Sequence, residues 1–246
     1  MKWTGIDRAL VTYGWTAWAS ALALMGQLLG ENEEDLARHI LRWARVLEWF
    51  WGIEVEVEGL EHYIRGERLV LIANHQSYVD VVALFLVLPE IPVFLAKQEL
   101  GRLPLFGEVM RRRGDIFIDR QHHTQATEAI AQAARQLRAG SPLLVFPEGT
   151  RARRPEIGHF KKGAFHLAKQ AGAAIQPIGI VGSLEAWPRD AWAPRGGKVQ
   201  VRIGPAISAK EVAEQPIDEL LHRSRRIIAS LTGLPCKMSS SELVKD

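Results

Sequence analysis

Apolar residues along this chain fall into short unbroken runs separated by helix-length amphipathic stretches, the alternation of an α/β layered fold. Leu69-Val70-Leu71-Ile72-Ala73 and Leu143-Leu144-Val145 have the length and β-branched content of buried strands. Val93 to Ala96, Ile116 to Ile118 and Ile175 to Val181 predict further strands, and Val199 to Ile203 is expected to close the sheet. Ile53 to Glu58 alternates apolar and acidic residues, as a half-exposed strand does. Helices are predicted over about residues 124–138, 165–170 and 212–231, the last interrupted at Pro216. The expected fold class is α/β, with a mixed, largely parallel sheet flanked by helices.

The front of the chain has a different pattern. Ala9 to Gly30 contains no formal charge, and an acidic break, Glu31 to Asp35, separates it from a second stretch. There Leu36, Ile40, Trp43, Leu47 and Phe50 recur at steps of three and four, while Arg38, Arg42 and Arg45 take another face. The first stretch is long enough to span a bilayer, but its glycines, alanines, Ser20 and Gln27 make it only moderately apolar. Six of the eight tryptophans fall in the first 51 residues, and tryptophan prefers the headgroup boundary. The pattern therefore favours a two-helix hairpin embedded in one leaflet; the plainer alternative is two core helices packed on the sheet. Residues 1–52 form this expected membrane-associating motif, residues 53–236 an α/β catalytic domain and residues 237–246 a frayed tail.

Composition narrows this picture only slightly. A hydrophobic fraction of 47% over 246 residues suits one globular domain with an addition at the front. The single cysteine, Cys236, excludes an internal disulfide, so nothing argues for an oxidising compartment or for a zinc site with cysteine ligands. A formal net charge of +3 permits attraction to an anionic membrane surface but is unspecific. Basic residues are interleaved with acids and no nucleic-acid motif is present, so no nucleic-acid partner is expected. No metal spacing and no phosphate or dinucleotide fingerprint follows a strand, so neither metal nor cofactor is expected. The expected location is the cytoplasmic side of the cell membrane.

Candidate chemistry sits where two apolar runs end, Asn74-His75-Gln76-Ser77-Tyr78-Val79-Asp80 and Phe146-Pro147-Glu148-Gly149-Thr150-Arg151. Strand carboxyl ends are where α/β sheets bind ligands. On an unbroken helix His75 and Asp80 would point about 140° apart. His75 is therefore expected in a loop, with a helix starting after it, so that Asp80 accepts the Nδ1 proton and Nε2 serves as a base toward a hydroxyl. Ser77 lacks the glycine-flanked elbow of a hydrolase serine and reads as a helix cap. Glu148 orients a substrate hydroxyl or holds an arginine, while Gly149 and Thr150 offer backbone N–H groups to an oxyanion. A turn with an ion pair is the plainer reading of that block. Residues 148–162 carry Arg151, Arg153, Arg154, Lys161 and Lys162 against Glu148 and Glu156. Arg111-Arg112-Arg113 reads as a solvated basic face for headgroups, and Gly101 to Gly107 as a loop closing over the acceptor.

These residues belong to an ordered series: Asn74-His75-x-Ser77-x-x-Asp80, Gly114-Asp115-Ile116-Phe117-Ile118-Asp119-Arg120, Phe146 to Arg151, and Ile175-Gln176-Pro177-Ile178. The series resembles the four blocks of the PlsC-like glycerolipid acyltransferases, the 1-acylglycerol-3-phosphate acyltransferases, over roughly residues 69 to 205. Two departures, Ala152 and Gln176, touch fine specificity. The resemblance implies transfer of a fatty acyl group from acyl-CoA or acyl-carrier protein to lysophosphatidic acid, giving phosphatidic acid. It implies His75 as base with Asp80 orienting it, and Arg120, Arg151 and Lys97 on the acceptor phosphate. The guanidinium fork matches phosphate oxygens. Rival readings are another acceptor, such as glycerol 3-phosphate or another lysolipid, and a non-catalytic membrane adaptor.

Overall fold

The computed structural model describes residues 5–118 and 123–237. Met1 to Thr4, Asp119 to His122 and the expected tail beyond Lys237 lie outside the described residues. Two helices open the chain, α1 (Gly5–Leu28) and α2 (Glu33–Trp51). After them come β1 (Ile53–Glu58), β2 (Leu69–Ala73), α3 (Val79–Val87), β3 (Val93–Lys97), α4 (Gln98–Gly101), α5 (Phe106–Arg112) and β4 (Ile116–Ile118). The second half holds α6 (His123–Arg138), β5 (Leu143–Val145), α7 (Gly163–Ala171), β6 (Ala174–Val181), α8 (Ser183–Ala186), β7 (Gly197–Ile203), α9 (Ala209–Glu214) and α10 (Ile217–Thr232).

Among the described residues the strands form one seven-stranded sheet in the order β1-β7-β6-β2-β5-β3-β4, parallel at every pairing except β6 with β7. It is mixed and largely parallel, as the apolar runs predict. β2 lies at the centre and is buried along its whole length, which explains its unbroken apolar sequence. Leu69, Leu71 and Ala73 face a core shared with α2, α3, α5 and α8, whereas Val70 and Ile72 face one shared with α6, α7, α9 and α10.

One expectation about the sheet is corrected. β7 does not close it; β1 lies outside β7, in parallel. The acidic alternation of β1 meets basic residues on β7, Lys198 bridging Glu56 at 2.6 Å and Arg202 bridging Glu58 at 3.1 Å. Charge pairing along an exposed edge thus selects the neighbour.

The first two helices form a hairpin, but its faces differ from the expected ones. Asn32 and Asp35 cap α2 reciprocally, and Gly52 ends it in the left-handed conformation. The apolar stripe of α2 (Leu36, Ile40, Ala44, Leu47, Trp51) is buried in the protein core, so it is not a leaflet-facing surface. α1 lies over α2 with its small and polar residues inward: Ala9, Thr12, Ser20, Ala23 and Gly26 are buried. Thr12 Oγ1 accepts from Trp51 Nε1 at 2.8 Å, and Thr16 Oγ1 from Trp43 Nε1 at 3.1 Å. Consequently the large apolar residues of α1, Ile6, Leu10, Tyr13, Trp18, Leu22, Met25 and Leu28, point to solvent. Among the described residues no helix is long and apolar enough to cross a membrane.

Two further readings change. Gly101 to Gly107 spans the end of α4 and the start of α5, closed at its base where a Cβ on Gly107 would lie 2.4 Å from the Gly101 carbonyl oxygen, with Arg102 to Leu105 exposed between. The Arg111-Arg112-Arg113 run is not a uniform solvated face. Arg111 and Arg112 pair with Glu108, and Arg113 is largely buried against Asp115, Phe85 and Phe94.

Candidate active site

β2 and β5 are parallel neighbours, so the two polar clusters leave the sheet side by side. Asn74 anchors the first: its side-chain amide donates to Ile180 O at 2.8 Å and accepts from Ile180 N at 2.7 Å, tying the strand exit to β6. The chain then turns before α3 starts at Val79. That turn places Asp80 beneath His75. Asp80 is fully buried, and its Oδ2 accepts from His75 Nδ1 at 2.8 Å, Gln76 N at 2.8 Å and Ser77 N at 2.9 Å. Its Oδ1 has no partner among the described residues. Because a carboxylate only accepts, Nδ1 donates and Nε2 carries the lone pair. Nε2 makes no hydrogen bond among the described residues, and the ring stacks on Phe146 with centroids 4.0 Å apart. Ser77 assists the helix start, accepting from Val79 N at 3.3 Å, and its hydroxyl donates to Trp187 O at 2.8 Å.

Glu148 does something the sequence reading misassigned. Among the described residues it pairs with no arginine. It is buried, accepting from His75 N at 2.9 Å through Oε1 and from Gly158 N at 2.9 Å through Oε2. Ala152 N in turn donates to His75 O at 2.8 Å, so the His75 backbone is held from both sides by the second cluster. Gly158 is required for this: a Cβ there would lie 2.6 Å from Glu148 Oε2. Burial is the main cause pushing the Glu148 carboxyl up to about 7, against the lowering effect of its two backbone donors.

Gly149 turns with a φ of 75°, and its N–H is spent on Phe146 O at 3.0 Å, which removes it as an oxyanion donor. The Thr150 N–H has no partner among the described residues. Arg151 lies over the Tyr78 ring at 3.8 Å, on the same turn as His75. Lys97 ends the neighbouring strand β3 but is exposed and paired with Glu99 at 2.7 Å. Arg120 lies outside the described residues. The structure therefore gathers His75, Asp80, Glu148, Thr150 and Arg151, with Lys97 further along the same sheet edge. Gln176 is no specificity residue: it is fully buried and hydrogen-bonded to Gly204 O.

Two contributors escaped the sequence reading. Arg189 donates to Thr150 Oγ1 at 3.2 Å and to Arg151 O at 2.8 Å, bracing the second cluster from beyond β6. Trp187 supplies the carbonyl for Ser77 and packs edge-on against Tyr78 at 5.5 Å. Neither carries a local signal, since both act through long-range folding. Among the described residues no cluster of three or more histidine, cysteine, aspartate or glutamate side chains is placed to hold a metal ion.

With Ser77 committed to a carbonyl, the imidazole has no hydrogen-bonded nucleophile to activate among the described residues. The class of enzyme that such a site defines is a group transferase in which a substrate hydroxyl attacks, its proton taken by Nε2. Comparison with known proteins agrees. The family model described as "Acyltransferase" matches residues 54–181. The 1-acyl-sn-glycerol-3-phosphate acyltransferase alpha of Homo sapiens is 32% identical over 215 residues, covering 86% of this chain and 75% of that protein. The corresponding beta enzyme of Homo sapiens is 36% identical over 164 residues, covering 65% of this chain and 58% of that one. The crystal structure of the 1-acyl-sn-glycerophosphate acyltransferase from Thermotoga maritima superposes with a TM-score of 0.79 at 23% identity, covering 92% of this chain and 93% of that one, and so shares the fold. This chain belongs to the acyltransferase family.

Proposed function

We propose that this acyltransferase moves a fatty acyl group from a thioester, acyl-CoA or acyl-carrier protein, to the free hydroxyl of 1-acylglycerol 3-phosphate, forming phosphatidic acid. The observation that carries the reading is the His75 Nδ1 to Asp80 contact of 2.8 Å with Nε2 unpartnered. In the reaction His75 Nε2 takes the hydroxyl proton as the acceptor oxygen bonds to the thioester carbonyl carbon. The tetrahedral intermediate collapses, the carbon–sulfur bond breaks, and the proton passes to the departing thiolate. Asp80 holds the tautomer and stabilises the imidazolium. The Thr150 N–H is the candidate for the oxyanion, and Arg151, Arg120 and Lys97 for the acceptor phosphate. Glu148 positions the His75 peptide.

The acceptor is a lipid, and α1 supplies the means of reaching it. Its outward row of Leu10, Tyr13, Trp18, Leu22 and Met25, with Trp49 of α2 exposed nearby in sequence to the core face, supports docking on the cytoplasmic side of a membrane as a monotopic protein. The small residues of α1 face inward, and the outward apolar row stays exposed among the described residues.

The test is enzymatic. Purified protein with labelled acyl donor and lysophosphatidic acid makes phosphatidic acid, and His75→Ala loses at least about 10²-fold in kcat. A panel including glycerol 3-phosphate and other lysolipids checks the acceptor. Full activity in His75→Ala, or a preference for another acceptor, refutes the corresponding part.

A further inference from the structure

The sheet has a second face, and its far side carries a cation-lined cavity that the catalytic reading does not use. A cavity of about 330 Å³ is lined by His222, Arg225 and Arg226 of α10 and by Cys236. Arg225 is only 9% exposed, its Nη2 donates to Ile157 O at 2.9 Å and Lys237 O at 2.6 Å, and its Nε has no partner among the described residues. Among those residues neither arginine nor His222 forms an ion pair. Of the other charges on α10, Asp218, which also feels His222, takes Lys162 at 2.7 Å and Arg223 takes Glu211 at 2.9 Å, while Glu219 in the first turn forms no ion pair among the described residues. Glu148, whose carboxyl feels the Arg225 charge, has both oxygens committed to backbone N–H groups. A buried guanidinium without a carboxylate is costly unless an anion completes it.

Position then selects the anion. Arg225 holds Ile157 O, Gly158 N binds Glu148, and Glu148 binds His75 N, so one peptide and one carboxylate separate this cavity from the catalytic histidine. The cavity's lining helix α10 packs on the same side of the sheet as α6, α7 and α9, with His222 and Arg226 exposed, whereas α1 packs with the core on the opposite side. A ligand entering it arrives from water, not from the lipid surface that delivers the acceptor. We infer that the His222, Arg225 and Arg226 cavity is the donor subsite and binds the nucleotide phosphates of an acyl-CoA. The pantetheine arm then spans the distance to His75. A concave pocket with a buried arginine suits a phosphate carried on a small molecule; a carrier protein would need a broad exposed basic face.

This inference rests on the thioester-dependent reading above, and the experiment separates the two. His222 and Arg226 are exposed, so His222→Ala/Arg226→Ala folds with an unchanged unfolding midpoint. Its KM for acyl-CoA rises roughly tenfold or more, the loss expected for removing charge-assisted hydrogen bonds, while kcat and the KM for lysophosphatidic acid stay the same. Calorimetry with adenosine 3′,5′-bisphosphate, which requires no turnover, gives binding to the native protein and about tenfold weaker binding to the variant. An unchanged KM for acyl-CoA, a raised KM for the acceptor instead, an effect confined to acyl-carrier protein, or bisphosphate binding no tighter than inorganic phosphate each overturns it. Nucleotide binding that depends on Arg226 in a protein without acyl transfer would sustain the subsite and sink the enzymatic reading.

Discussion

Replacing Asp80 by asparagine separates two jobs that one carboxylate performs. Oδ2 is fixed by three donors, two of them the backbone N–H groups of Gln76 and Ser77, whereas Oδ1 is buried with no partner among the described residues. An asparagine therefore has one good orientation: its oxygen in the three-donor position and its amide nitrogen where Oδ1 stood. The backbone N–H groups reject the flipped amide, so His75 keeps donating from Nδ1 and the tautomer is preserved. What disappears is the charge facing the imidazolium. A charge-assisted hydrogen bond contributes about 1.5–3 kcal/mol against about 1 for a neutral one, a difference of about 0.5–2 kcal/mol. That corresponds to a loss of roughly 2- to 30-fold in kcat, with KM unchanged. Asp80→Ala is a different perturbation, because it strands two buried N–H donors at about 1–3 kcal/mol each. Its unfolding midpoint falls on the order of 10 °C and its activity falls as far as that of His75→Ala. The assay is steady-state acyl transfer from labelled acyl-CoA, paired with thermal unfolding of each variant. Wild-type kcat in Asp80→Asn would refute the charge role; inactivity equal to His75→Ala in a folded protein would refute the backbone lock on the tautomer.

Glu148→Gln probes the buried strut. The native carboxyl is raised from 4.5 to about 7, so the folded protein holds a proton that the unfolded chain has released between those values. Stability consequently falls as pH rises from 4.5 to about 7 and stays lower above it, by about 3 kcal/mol for this group. In urea titrations at about pH 5 and about pH 8, Glu148→Gln lacks that decrement relative to wild type; parallel pH dependence disproves it. Leu10→Gln/Trp18→Gln removes apolar surface already facing solvent, leaving folding unchanged while liposome partitioning drops on the order of 10²-fold, read by flotation. Equal flotation rules out α1 as the membrane face. Arg151→Lys loses the planar fork stacked on Tyr78, and the KM for lysophosphatidic acid rises about tenfold with kcat little altered; an unchanged KM removes Arg151 from the phosphate site.

Much of the sheet was legible because burial on both faces leaves an unbroken apolar signature. β2, β5 and β6 show it clearly, and the polar residues at their exits marked the site. The His75 and Asp80 relation was readable too, since spacing incompatible with a continuous helix forces the histidine into the preceding turn. Other features depend on partners far away in sequence. The amphipathic stripe of α2 carries no label saying whether lipid or sheet covers it; packing against α3 and β1 decided for the sheet. α1 shows the converse, its moderate apolarity hiding a sorting of small residues inward and large ones outward that becomes visible only when α2 is in place. Glu148 was misread because a conspicuous acid beside an arginine suggests a ligand or an ion pair, whereas its oxygens meet backbone groups from residues 75 and 158.

That misreading points to how the site is organised. Two carboxylates meet at His75 and divide the work by what they bind. Asp80 takes the ring nitrogen and thereby sets which nitrogen faces substrate. Glu148 takes the main-chain N–H and ties it to Gly158, so the loop between β5 and α7 cannot shift without moving the base. Arg189 fastens the same loop from the β6 side through Thr150 and Arg151. The proposed base thus lies at the β2 exit and the oxyanion and phosphate candidates Thr150 and Arg151 together at the β5 exit, and one hydrogen-bonded frame joins the two. Precise placement of a near-attack geometry requires such coupling, because small displacements of a base are expensive in rate. The frame also reaches Arg225 through Ile157.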